Sequence, residues 1–281
     1  MIVKIVMCEG PHDTAFVSRI LRVLGCGNDK TRIGEFPDYL TKFLKKQYTP
    51  DVETYPIYDV RGKTIIPNYG LNYNDEILFL LYNMGGDSKK VNRHKMVSYF
   101  LNLFKTEMTN PARLGFELHL IYEFDADKDG RDKRLDRLND EIREMMPDFP
   151  GVGHGEYRNH GNITWGAYIF SAPDSDKGKL EDIVLPMMHK DNDDVFVDIE
   201  QIVSKREEYE LYHRHKKKLD KDGWDKDKAM IGMAGQLHKY GNANAAIIEQ
   251  SCLIIDDQIL ANKSCREIGE FLLHGSSYKR V

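Results

Sequence analysis

Apolar and polar positions along the chain fall into short runs that switch between two periods. Ile2 to Cys8 is an apolar, partly β-branched run of strand length that stops at Glu9-Gly10-Pro11. Pro11 suits a first helical turn, and Phe16, Val17, Ile20, Leu21 and Leu24 then recur at helical spacing before Gly25 and Gly27. Ile77 to Tyr82 predicts a second strand, closed by Gly85-Gly86-Asp87. A helix from about Asn92 to Lys105 follows, with Met96, Val97, Phe100, Leu101 and Phe104 on its apolar face. Leu118 to Phe124 predicts a third strand, and Leu135, Leu138, Ile142 and Met145 mark the next helix. A Gly- and His-rich connection at 151–161 leads to a fourth strand, Asn162 to Phe170. Residues 28–75, rich in Tyr, Pro and Asn, show only a short helical stretch near Tyr39 to Lys45 and read as an insertion or a lid.

This alternation predicts an α/β domain over 1–190 with a largely parallel sheet flanked by helices. From Gly178 onward the period is helical, with stripes in 179–188, 195–218, 226–238, 244–257 and 264–273, so 191–281 is expected to be a helical extension packed on the core. Hydrophobic residues at 41% and charged residues at 30% describe a folded globular chain. No apolar run approaches the ~18 residues of a membrane span, and the N-terminal run continues into Glu9 without the features of a signal peptide. Cys8, Cys26, Cys252 and Cys265 stand singly, which argues for a reducing compartment, a cytoplasmic location, and no structural zinc. A net charge of −5 gives no global attraction to nucleic acid. Two basic stretches, Lys89 to Lys95 and Arg214 to Lys218, are read first as solvated helix faces.

The chemistry sits where two of the strands end. Glu9 and Asp13 flank the first strand–helix junction; Asp125, Asp127 and Asp129 follow the third strand. Ligands of an open parallel sheet bind beyond the carboxyl ends of its strands, so both clusters are expected to face one crevice. Several carboxylates there make a hard-oxygen site suited to Mg²⁺ or Mn²⁺ and phosphate chemistry. Alternation along an extended chain directs Asp125 and Asp127 to the same side. A calcium loop is the rival reading of Asp125 to Gly130, but its twelfth residue is Asp136, its eighth is Asp132, and a strand precedes it. The bland alternatives are a helix-start acid for Asp13, first-turn acids for Glu181 and Asp182, and surface or packing roles for His12, His94 and His154.

Glu9-Gly10 with Asp13, Gly85-Gly86, Asp125-x-Asp127 and Gly178-Lys179-Leu180-Glu181-Asp182, in this order, resemble the topoisomerase–primase (Toprim) family over about 1–190. The last segment is similar to a stretch in stand-alone Toprim-like proteins and in relatives of the overcoming-lysogenization-defect nucleases. The resemblance implies a Rossmann-type fold, with Glu9 as general acid or base and Asp125 and Asp127 as Mg²⁺ ligands. It also implies that Asp13 is a second catalytic acid able to hold a second ion, that Asp129 extends the ligand set, and that Glu181 is an additional metal-binding acid. His12, beside Glu9, joins the catalytic candidates, while Lys89, Lys90 and Arg93, with Lys95, are candidate phosphate contacts. The chain departs from family members in having no G-x-x-x-x-G-K-[ST] loop, no zinc-ribbon cysteines and little room for a tyrosine-bearing domain. The expected function is phosphodiester cleavage or transfer on DNA or RNA. The alternative is a non-catalytic module that binds nucleic acid, nucleotide or a separate ATPase partner, as a regulatory or defence component.

Overall fold

The structure is a computed structural model that describes residues 1–27, 34, 36, 38–48, 66–86, 89–106, 115–221 and 223–278. Six strands form one sheet: β1 (Ile2–Cys8), β2 (Tyr69–Tyr73), β3 (Ile77–Asn83), β4 (Glu117–Asp125), β5 (Glu156–His160) and β6 (Ile163–Phe170), in the order β2-β3-β1-β4-β6-β5. The central four run parallel, with Cys8 level with Asn83 and Glu123 and Asp125 level with Phe170, so their carboxyl ends share one edge. The outer two, β2 and β5, pair antiparallel with β3 and β6.

Alternation along the strands sorts side chains to the two faces. Val3, Ile5 and Met7 of β1, with Leu118, Leu120, Tyr122 and Phe124 of β4, pack against α2 (Asp38–Tyr48), α3 (Lys90–Thr106) and α4 (Arg131–Arg143). Val6, Cys8 and Ile121 face α1 (Pro11–Val23), α5 (Glu181–His189), α6 (Asp193–Ser204) and α8 (Lys226–His238), and the last helix of the chain, Lys263–Leu272, closes the same layer. A 3₁₀ turn (Arg206–Glu208) and α7 (Glu210–Lys221) lie between α6 and α8, and α9 (Asn244–Gln250) and α10 (Asp256–Ala261) precede the last helix, α11. Beyond residue 190, α6, α8, α9, α10 and α11 therefore bury their apolar stripes in the same cluster as α1 and the sheet.

The chain moves from β1 to β3 on one side, then crosses past β1 to β4 on the other. The reversal of direction between β1 and β4 opens a crevice at their carboxyl ends. Strands β2 and β5 are additions to the expected pattern: they fall inside the 28–75 excursion and the 151–161 connection. The short helix expected near Tyr39 is α2, while most of 28–65, Asp87 and Ser88 lie outside the described residues. The stripe at 195–218 is divided among α6, the 3₁₀ turn and α7, and that at 244–257 is broken at Ser251. Among the described residues no helix is long and apolar enough to cross a membrane.

Candidate functional site

At the β1–β4 crevice Glu9 leaves the end of β1 and accepts a hydrogen bond from the Arg134 guanidinium, Nη2 to Oε2, at 2.8 Å. A Cβ on Gly86 would come within 2.6 Å of Glu9 Oε1, so the glycine turn after β3 leaves the space that this carboxylate fills. Asp13, at the third position of α1, reaches back to accept the Gly10 N–H. It thus caps the helix, the bland role open to it, yet is buried among other acids. Asp125 accepts the Leu180 N–H at 2.8 Å, which ties the end of β4 to the start of α5. Glu181, 2% exposed, accepts from His12 Nδ1 at 3.1 Å and lies 3.6 Å from Lys228 Nζ. An ionised carboxylate has no proton to give, so His12 must donate through Nδ1, which leaves Nε2 for other partners.

One acid of this site escaped the motif reading. Glu123, in the apolar run of β4, is fully buried and accepts the Cys8 thiol at 3.8 Å. Its Oε1 and Glu181 Oε2 are buried with no hydrogen-bond partner among the described residues. Burial pushes Asp13 up to about 8; the charges of Glu9, Glu181 and Glu123 add to that rise, and the Gly10 N–H opposes it. Burial also raises Glu123 to about 8. Asp125 is held well above the usual carboxylate range by burial and by the charges of Asp13, Glu181 and Glu9, against the pull of the Leu180 N–H. Burial would raise Glu181 too, but the His12 hydrogen bond and the Lys228 and Lys179 charges prevail and hold it low.

The expected ligand set is divided. Glu9, Asp13, Asp125 and Glu181 act on one another electrostatically, while Asp127 and Asp129 are not among the charges that shift Asp13 or Asp125. The strand ends at Asp125, and Asp127 has a left-handed φ of 52° with its backbone paired to Gly178. The alternation that would align Asp127 with Asp125 therefore stops two residues short of it. Asp127 is exposed and lines an open cleft with Lys128, Lys179 and Asp182, and Asp129 pairs with Arg137. Asp182 caps the Lys179 N–H at 2.8 Å, as a first-turn acid should.

The basic residues also separate. Arg93 does not reach the surface. It is 2% exposed, forks onto Glu141 at 2.8 and 2.7 Å, and donates to the carbonyls of Gly85 and Gly86 at 2.7 and 3.0 Å. Lys90 is paired with Glu144 at 2.8 Å, and Lys89 is exposed beside the glycine turn. Among the described residues no group of three or more His, Cys, Asp or Glu side chains is disposed to hold a metal ion by itself.

Fold and site together define an α/β protein with a buried carboxylate cluster at the switch point of a mostly parallel sheet. The chain belongs to a family described as a protein of unknown function (DUF3226), whose model matches residues 3–262. No curated protein matches it. The crystal structure of a hypothetical protein from Pyrococcus horikoshii OT3 is similar, with 17% sequence identity, a TM-score of 0.49, and coverage of 97% of this chain and 96% of that one.

Proposed function

We propose that this chain is a Mg²⁺- or Mn²⁺-dependent enzyme that cleaves or transfers phosphodiesters of nucleic acid, DNA or RNA. One observation carries the reading: Glu9, Asp13, Glu123, Asp125 and Glu181 crowd the carboxyl ends of β1 and β4, and two of their buried oxygens lack partners. The hard-oxygen donors suit a small divalent cation. Mg²⁺ generally takes only one or two protein carboxylates and fills its shell with water and substrate phosphate, so a preassembled cage is not required. Glu9 and Asp125, with Glu181, would hold the ion, and Asp127 and Asp129 would join only through a turn of their loop. Bound there, it would polarise the phosphodiester and neutralise charge on the leaving oxygen.

The chain's own groups divide the proton work. Asp13, raised to about 8, keeps a proton at neutral pH and can give it to a leaving oxygen. His12, its Nδ1–H held by Glu181, presents Nε2 to take one from an attacking group. Arg134 fixes the Glu9 carboxylate in place. Lys89, exposed beside the glycine turn, is placed to meet a phosphate, a task Arg93 and Lys90 do not share.

Labelled single- and double-stranded DNA and RNA, incubated with the purified chain in Mg²⁺ or Mn²⁺, test the reading. Cleavage is expected, reduced by about 100-fold or more in Glu9→Gln and Asp125→Asn. Cleavage that survives both substitutions would refute this site. Binding without cleavage would point to the non-catalytic module, whether its partner is nucleic acid or a separate ATPase.

A further inference from the structure

A cavity of about 890 Å³ lies apart from the acid cluster. One wall is the segment 171–176 with Arg131, the other is a face of α11 that includes Lys263 and Glu267, and Tyr157, Tyr168 and Phe271 line it between them. The aromatic rings brace one another: Tyr157 stacks on Phe271 at 4.6 Å and on His274 at 4.8 Å. His154 lies 4.6 Å from the Tyr168 ring.

Two features of this cavity point to a ligand. Arg131, the first residue of α4, forms no ion pair among the described residues; its Nη2 donates to Ser171 Oγ at 2.6 Å and its buried Nε has no partner. A half-buried guanidinium with no carboxylate in ion-pair contact, at the wall of a cavity that Asp174, Asp176, Glu267 and Glu270 also line, can take an oxyanion. His154 accepts the Ile169 N–H through Nδ1 at 3.0 Å, so its ring proton resides on Nε2 and makes it a neutral donor. Arg131's charge acts on both His154 and Tyr168, which places these three groups together.

The facing helix adds the opposite capacity. Glu267 and Glu270 line that side with acceptor oxygens, beside Asn262, whose own Oδ1 accepts the Cys265 N–H at 3.1 Å. An oxyanion subsite, an aromatic floor and a row of acceptors match the three parts of one molecule: phosphate, ring, and hydroxyl or amino edges. We propose that this cavity binds a nucleotide, its phosphate on Arg131, His154 and Ser171 and its base against Tyr157 and Phe271. The segment 171–180 separates the cavity from the acid cluster, so nucleotide binding here stands apart from the phosphodiester reading above.

Calorimetric titration of the full chain in chelator, with adenosine and cytidine 5′-monophosphates as probes, tests this without any cation. Adenosine and inorganic phosphate serve as the two halves, and spermidine as the rival ligand suited to the carboxylates. The monophosphates are expected to bind at least tenfold more tightly than either half. Arg131→Gln should weaken them at least tenfold. Lys263→Glu, on the exposed helix surface and harmless to the fold, should weaken them several-fold with an unchanged melting temperature. The proposal fails if the monophosphates give no binding, if inorganic phosphate matches them, if spermidine alone binds, or if folded Arg131→Gln and Lys263→Glu proteins bind as the parent does.

Discussion

Arg93 shows how a residue's neighbours decide its role. By sequence it belongs to a basic run, but it also falls in register with Met96, Val97 and Phe100, the buried face of α3. A charge on an apolar helical face must find a partner, and here it finds Glu141 and two carbonyls of the glycine turn. Arg93→Ala would leave Glu141 charged and nearly buried and the carbonyls without donors. Urea unfolding should show a loss of about 3–5 kcal/mol, and Arg93→Lys, with no planar fork, should recover only part of it. A loss under about 1 kcal/mol would mean that the pair contributes no more than a surface one. The same signal, a charged residue inside an apolar pattern, marks Lys4, His119 and Glu123 within β1 and β4. It could have identified Glu123 as part of the site before any fold was known. Nothing in the sequence announces Arg134 as the partner of Glu9, because that contact joins elements 125 residues apart.

Elements were most legible where period and length agreed. The central strands and α1, α3 and α4 follow their apolar patterns to within a few residues. Strands β2 and β5 did not show because each is a five-residue strand beside the parallel core with a mixed pattern of half-buried, buried or exposed positions, too short for a period to stand out. The acid cluster was legible as far as strand ends could place it, and Asp127 was misplaced because extended geometry was carried past the end of β4. What sets that turn is the segment before α5: Gly178, at φ 118°, pairs both ways with Asp127, N–H to carbonyl at 2.7 and 2.9 Å. A Cβ there would lie 2.5 Å from the Ala172 backbone nitrogen, a contact no rotamer can relieve. Gly178→Ala should therefore cost about 2 kcal/mol or more. It should also displace Leu180 from Asp125, so activity ought to fall further than stability alone explains. Equal loss of both, or of neither, would show that this turn does not set the position of Asp125.

Over the whole molecule, groups with opposed titrations give stability a defined pH profile. Asp13 and Glu123, raised to about 8, and Asp125, held well above the usual carboxylate range, hold protons in the fold where the unfolded chain has lost them. Their stabilisation is complete below the ordinary carboxylate range and is lost as pH rises through about 8. His119 and His154, lowered to about 3 and about 4 by burial, run the other way: their contribution is present above about pH 6.5 and is lost progressively as pH falls from there through those values. Lys4 is lowered to about 7 by burial while it donates to the Leu272 and His274 carbonyls at 2.6 and 2.7 Å; its contribution grows as pH rises above about 7. Between about pH 6.5, where free imidazole has titrated, and pH 7 the carboxyls act without opposition. Each can remove up to ~1.4 kcal/mol per pH unit. Urea midpoints measured in chelator should therefore fall from pH 6.5 to 8. A cation held by Glu9, Asp125 and Glu181 replaces the Asp125 proton and offsets the charge its neighbours gain, so saturating Mg²⁺ should flatten the fall, most at pH 8 where more of that charge has developed. Asp125→Asn should weaken that Mg²⁺ effect, and Glu123→Gln should shallow the fall in chelator by about one proton's slope. A midpoint that stays level across this range in chelator, or one that Mg²⁺ leaves untouched, would mean that the crowded carboxyls neither strain the fold nor await an ion.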